Sequence, residues 1–220
     1  MDSSILKLLN IGWPVKIIVD AAQYDLEKDN RFLIPFIVYK HNEILFGFAD
    51  KIGNIVISAK YDRVFDDFHN SDELVRVGRR VIIDCGAENN PRQYTYFRCG
   101  LINSKGEELI SCERYMGLDF ADDEKTLLIA YGNHREKYGC SLIDIFGNEI
   151  IPYGKYSRIE RFYNGMARVR KNIGWHEEKY GLVNKRGEEI APLGTGPSSF
   201  GWYRNPKSLK FYTEKYGAFI

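Results

Sequence analysis

Net charge is almost absent from this chain: 31 lysines and arginines stand against 30 aspartates and glutamates. A protein held to nucleic acid by bulk charge needs surplus cations to meet many phosphates, so that mode of binding is excluded. Long apolar runs are missing too. None approaches the ~18 residues that a membrane-spanning helix requires, and Met1-Asp2-Ser3-Ser4 lacks the basic start and apolar core of a secretory leader. The expectation is a cytoplasmic protein with neither a membrane nor a nucleic-acid partner.

Cysteine is scarce, and the four present (Cys85, Cys99, Cys112, Cys140) form no Cys-x-x-Cys pair. They read as small, reduced side chains at buried strand positions. Cys85 and Cys99 flank a hairpin and are the pair best placed to bridge it. The familiar catalytic frames are missing as well. His41, His69, His134 and His176 are scattered, with no His-Glu-x-x-His. His134-Arg135-Glu136 and His176-Glu177-Glu178 read as one polar loop copied twice rather than as a metal site. Gly194-Thr195-Gly196-Pro197-Ser198-Ser199 lacks the Gly-Lys-Ser/Thr ending of a phosphate loop, and no Gly-x-Ser-x-Gly elbow occurs. No enzyme activity, cofactor or metal is expected.

What the chain does have is repetition. Glu-Lys-Tyr-Gly is written at residues 136–139, 178–181 and 214–217, with starts 42 and 36 residues apart. That period marks a tandem repeat. A longer pattern surrounds it: a lead residue and glycine, a short apolar run, Asp or Asn, a turn ending in glycine, and a second apolar run. It reads from Phe46-Gly47 through Asp50 and Gly53, from Cys99-Gly100 through Asn103 and Gly106, from Tyr138-Gly139 through Asp144 and Gly147, and from Tyr180-Gly181 through Asn184 and Gly187. Runs of this length are strands. The Asp or Asn nucleates a turn and the glycine supplies the left-handed φ of a hairpin. Alternation of Ala167 and Val169 with Arg168 and Arg170 predicts one inward and one outward face.

These residues resemble the WG-repeat family of bacterial β-repeat proteins, named for an aromatic-Gly pair, usually Trp-Gly, heading each unit. Here Phe46, Tyr138, Tyr180 and Tyr216 take the aromatic place, as core residues, and Cys99 departs from it. The resemblance implies an all-β repeat scaffold without common catalytic residues. The units expected are 16–45, 46–98, 99–137, 138–179 and 180–220, each an antiparallel hairpin or meander, behind a segment 1–15. Within that segment, Ser3–Leu9 reads either as a capped helix or as a frayed tail. Two arrangements fit: an open curved array, and a five-unit ring closed by the strand around Tyr216.

Recognition is expected where the repeat is broken. The interval from Gly47 to Gly100 is 53 residues, against 39, 42 and 36 later. The surplus is an inserted hairpin at 79–98, with Asn89 and Asn90 at its tip, and insertions in repeats often serve binding faces. Loop acids Asp66 and Asp67 recur as Asp119, Asp122 and Asp123, whereas the fourth unit turns basic with Arg168 and Arg170. Such charged ridges suit a protein partner. Trp175, Trp202 and Tyr203 lie in polar linkers and read as exposed anchors. The function expected is a protein-binding scaffold, in its narrowest form an immunity protein occluding a toxin. The alternatives are a module stacking glycans or small polar ligands on those aromatics, and an enzyme without a recognisable motif.

Overall fold

The computed structural model describes residues 33–40, 43–50, 54–65, 74–84, 92–132, 139–174, 177–198 and 204–216. The expected all-β repeat class is what these residues form: four antiparallel sheets and a short helix. The chain divides into two units, Met1–Arg114 and Tyr115–Ile220. In the first, sheet A is the meander β1 (Ile34–Lys40), β2 (Glu43–Ala49) and β3 (Ile55–Tyr61). Sheet B follows as β4 (Arg63–Val64), β5 (Leu74–Asp84), β6 (Gln93–Asn103) and β7 (Glu108–Tyr115). In the second unit, sheet C holds β8 (Gly117–Phe120), β9 (Leu127–Tyr131), β10 (Cys140–Asp144) and β11 (Glu149–Tyr156). Sheet D holds β12 (Arg158–Ile159), β13 (Met166–Gly174), β14 (Glu177–Asn184) and β15 (Glu189–Ala191), with helix α1 (Pro206–Tyr216) after it. Ser3–Leu9 and the start of the first repeat lie outside the described residues.

The same turn recurs in sheets B, C and D. Asn103 Oδ1 accepts from the amides of Lys105 and Glu107, while Gly106 donates to Asn103 O at φ +84°. Asp144 and Asn184 repeat the arrangement with Gly147 (φ +84°) and Gly187 (φ +78°). A second lock lies four residues on. Asn103 pairs with Glu107 (2.6 Å), Asp144 with Asn148 (2.7 Å), Asn184 with Glu188 (2.6 Å) and Asp50 with Asn54 (2.8 Å). Each pair is one amide and one carboxylate, whichever order the sequence uses, because an amide N–H must donate to a carboxylate oxygen.

A second recurrent contact joins the two sheets within each unit. Sheets A and C end on a buried tyrosine. Tyr61 OH donates to Glu108 of sheet B at 3.0 Å, and Tyr156 OH donates to Glu189 of sheet D at 2.6 Å. Lys60 and Lys155 stand beside the same carboxylates at 3.8 and 3.7 Å. Burial, then the neighbouring carboxylate, pushes both phenols above their ordinary range, so they stay protonated donors. Around the clasps lie the cores: Phe48, Ile57, Val77 and Ile102 in the first unit, Leu142, Ile151, Val169 and Val183 in the second. Cys99, Cys112 and Cys140 are buried, as expected, and Cys85 lies outside the described residues. Burial pushes Cys112 up to about 12 and Cys140 up to about 11.

The register corrects the expected phase of the fourth copy. Phe46 opposes Tyr61 in sheet A, and the residue opposing Tyr156 in sheet C is Cys140, not Tyr138. The pair equivalent to Phe46-Gly47 is therefore Cys140-Ser141. Glycine elsewhere holds this second place because backbone crowds it: a Cβ would lie 2.7 Å from Ile57 O at Gly47, 2.5 Å from Ile110 O at Gly100 and 2.7 Å from Ala191 O at Gly181. Opposite Ser141, β11 bulges across Pro152–Lys155 and passes through Gly154 at φ +77°, a left-handed step absent from β3 and β7. A side chain fits there.

The last copy is corrected too. Glu214-Lys215-Tyr216 is the end of α1, not a strand, so it does not supply the strand expected to close a ring. Asn205 caps the helix, its Oδ1 accepting from Lys207 N at 3.0 Å, and Pro206 occupies the first turn. Tyr212 packs against Met166, Leu182 and Ala191 on the outer face of sheet D.

Candidate functional site

Two regions depart from the bare repeat. In the first unit, β5 and β6 pair without a break from Leu74↔Asn103 to Asp84↔Gln93, which forms the expected inserted hairpin. Its base is braced. Arg80 donates to Glu43 (2.7 Å), its guanidinium lies 3.4 Å from Asp62, and its amide donates to Asp62 (2.9 Å). The Arg63 guanidinium lies 4.9 Å from the Phe65 ring and 5.2 Å from that of Phe97. β4 pairs with Gly78 and Val77 of β5. The outer half is apolar on one face, with Val81, Ile83, Tyr94 and Tyr96, and carries Ile82 among Thr95, Asp84 and Gln93 on the other. Ile82 is 55% exposed and Tyr94 51%.

In the second unit a cleft of about 220 Å³ opens on the outer face of sheet D. β13 brings Arg168 and Arg170 to it, β12 adds Arg158, the residue after β12 is Glu160, β14 adds Tyr180, and a later loop adds Ser198. Arg158 sits directly opposite Arg170 in the strand register. Arg168 is the buried member. It bonds Glu160 Oε1 at 2.5 Å with side chains 7% and 11% exposed, donates to Ser198 O at 2.8 Å, and lies 4.8 Å from the Tyr180 ring centroid. Arg170 reaches Glu178 at 2.8 Å, and its Nε is buried with no hydrogen-bond partner. Tyr180 OH also donates to Glu178. Thus Tyr180, expected in the core, instead floors a polar cleft.

Two other expected contact residues are corrected. Arg168 does not face solvent, because the 192–198 loop covers the outer side of β13. Asp122 is 1% exposed and works inside its loop: it accepts from Thr126 N, Thr126 OH and Leu127 N, with Lys185 at 3.3 Å. Asp123 is exposed but holds Arg161 at 2.8 Å, so acidic and basic residues of this unit partly neutralise each other. Asp119 is exposed on β8 beside Tyr131, whose phenol is pushed up to about 12 by burial and then by that carboxylate. Asp66, Asp67, Asn89, Asn90, Trp175, Trp202 and Tyr203 lie outside the described residues. Arg158 and Glu160 escaped the sequence reading as site residues. Their signal was an Arg-x-Glu following a strand-ending tyrosine, which pairs across to Arg-x-Arg.

Burial alone would raise Asp122, but the bonds from Thr126, Leu127 and Lys185 hold it below the ordinary carboxylate range. A depressed carboxylate stabilises above its unfolded pKa, and that contribution fades as pH falls through the folded value. Asp122→Asn should therefore cost about 1.5–3 kcal/mol at neutral pH, the worth of charge-assisted bonds. In paired urea titrations the gap between variant and wild type should narrow below about pH 4; a gap independent of pH would contradict this.

Comparison with known proteins is consistent with the geometry. No curated protein matches the sequence. A solved structure described as "Crystal structure of the eukaryotic initiation factor" is similar over 78% of this chain and 44% of that one, at 9% identity and a TM-score of 0.42. The chain thus spans less than half that structure's length. The family model "WG containing repeat" matches residues 46–77 and 141–175. Over these two segments, which cover less than half of the chain, the sequence is similar to the WG-containing repeat.

Proposed function

We propose that the protein is a non-catalytic cytoplasmic module that binds another protein through the outer half of the β5–β6 hairpin. The observation behind this is a hairpin on a braced base whose outer half carries Val81, Ile83, Tyr94 and Tyr96 on one face, with Ile82 and Tyr94 more than half exposed. Exposed apolar residues on a hairpin favour a partner that covers their side chains. The narrower form is an immunity protein, in which the hairpin occludes a toxin made from an adjacent gene.

The test is co-expression pull-down against the products of neighbouring genes. Wild type should retain one of them. A variant with residues 82–95 replaced by Asn-Gly joins Val81 to Tyr96, which already oppose each other, and keeps the base. It should stay folded by circular dichroism and lose that partner. Undiminished retention, or no partner for wild type, counts against the proposal.

A further inference from the structure

We propose that the cleft on sheet D is a carboxylate-binding site, in which Arg158 and Arg170 together hold one anionic carboxylate group. The inference is independent of the hairpin, which lies in the other unit. Like charges directly opposite on antiparallel strands repel, and Arg158 and Arg170 are such a pair. Arg158 makes no ion pair among the described residues. Arg170 has one, to Glu178, yet its Nε stays buried without an acceptor, although a buried N–H ordinarily has one. The cleft thus holds two opposed guanidinium groups with one carboxylate partner between them, and a donor without an acceptor. One oxygen-bearing anion lodged between the two side chains would answer both.

Charge selects the class of anion. Arg158, Arg168 and Arg170 face Glu160 and Glu178, which leaves a single positive charge. A carboxylate balances it, whereas a phosphate dianion would leave the cleft negative beside two carboxylates. Planar bidentate geometry also suits guanidinium and carboxylate. Arg168 is already held by Glu160, Ser198 and the Tyr180 ring, so its part is to position the floor. The volume of about 220 Å³ suits a small acid or one acidic side chain of a peptide.

The test uses the full chain labelled with ¹⁵N, reading the arginine Nε–Hε resonances during titration. The probes are sodium acetate, sodium chloride at matched ionic strength, inorganic phosphate, and a short peptide carrying one Asp beside its Asp→Asn twin. Acetate or the Asp peptide should shift the Arg170 resonance saturably, and chloride should not. Arg158→Gln should weaken that binding by about tenfold or more, the worth of one charge-assisted bond, without lowering the denaturation midpoint. A small-acid source is indicated if acetate binds as tightly as the Asp peptide. A peptide source is indicated if the Asp peptide binds at least tenfold tighter and its Asn twin does not bind. The proposal is overturned if neither carboxylate saturates, if chloride reproduces the shift, if phosphate binds tighter than acetate, or if Arg158→Gln leaves affinity unchanged.

Discussion

Arg168→Met should destabilise the second unit by about 3–5 kcal/mol, because it leaves the Glu160 carboxylate buried without its cation. The pair is short, at 2.5 Å, and neither side chain is more than about a tenth exposed. The loss also strips the donor from Ser198 O and the cation from the face of Tyr180. Replacing both charges, with Arg168→Met and Glu160→Met together, should recover most of the loss, since an apolar pair carries no desolvation cost. Urea denaturation of the two single variants and the double variant measures this as a cycle. Additive losses in the double variant would show that the two side chains act separately.

Gly100→Ala and Gly181→Ala should each cost about 1–3 kcal/mol, the range for overpacking a filled interior. Their new Cβ atoms would fall 2.5 Å from Ile110 O and 2.7 Å from Ala191 O, both backbone atoms that cannot swing aside. The contrast with two other sites makes the expectation specific. Gly174→Ala meets nothing within 4 Å and should be neutral or slightly stabilising. Ser141→Ala occupies the register of those crowded glycines, yet it should also be tolerated. Its Cβ already fits, and the lost Oγ is buried with no hydrogen-bond partner. Equal losses at all four positions would mean that the crowding does not follow the register.

What could be read from the chain in advance was whatever the chain decides locally. The Asn103, Asp144 and Asn184 turns are closed by residues two to four positions away, so their pattern is visible in a single stretch of sequence. The inserted hairpin was visible as surplus length. Phase was not visible at Tyr138-Gly139, because a nearly identical phrase lies two residues from the true lead pair. Only the partner strand, through Cys140↔Tyr156, decides between them. The fate of Glu214-Lys215-Tyr216 was hidden for a similar reason. Its tetrapeptide matches a strand elsewhere, while the signal for helix is the Asn205-Pro206 start nine residues earlier. The cleft was half legible. Arg168 and Arg170 stood out as charge, but alternation alone placed Arg168 in solvent, and only the covering loop at Pro197 and Ser198 buries it.

Backbone chemical shifts at Glu178-Lys179-Tyr180 and Glu214-Lys215-Tyr216 test most directly whether the repeat resides in turns and strand register rather than in its recurring phrase. Cα secondary shifts should be negative, as in strands, at Glu178, Lys179 and Tyr180, and positive, as in helices, at Glu214, Lys215 and Tyr216. Extended shifts at both copies would contradict the assignment and restore a fifth strand unit at the end of the chain.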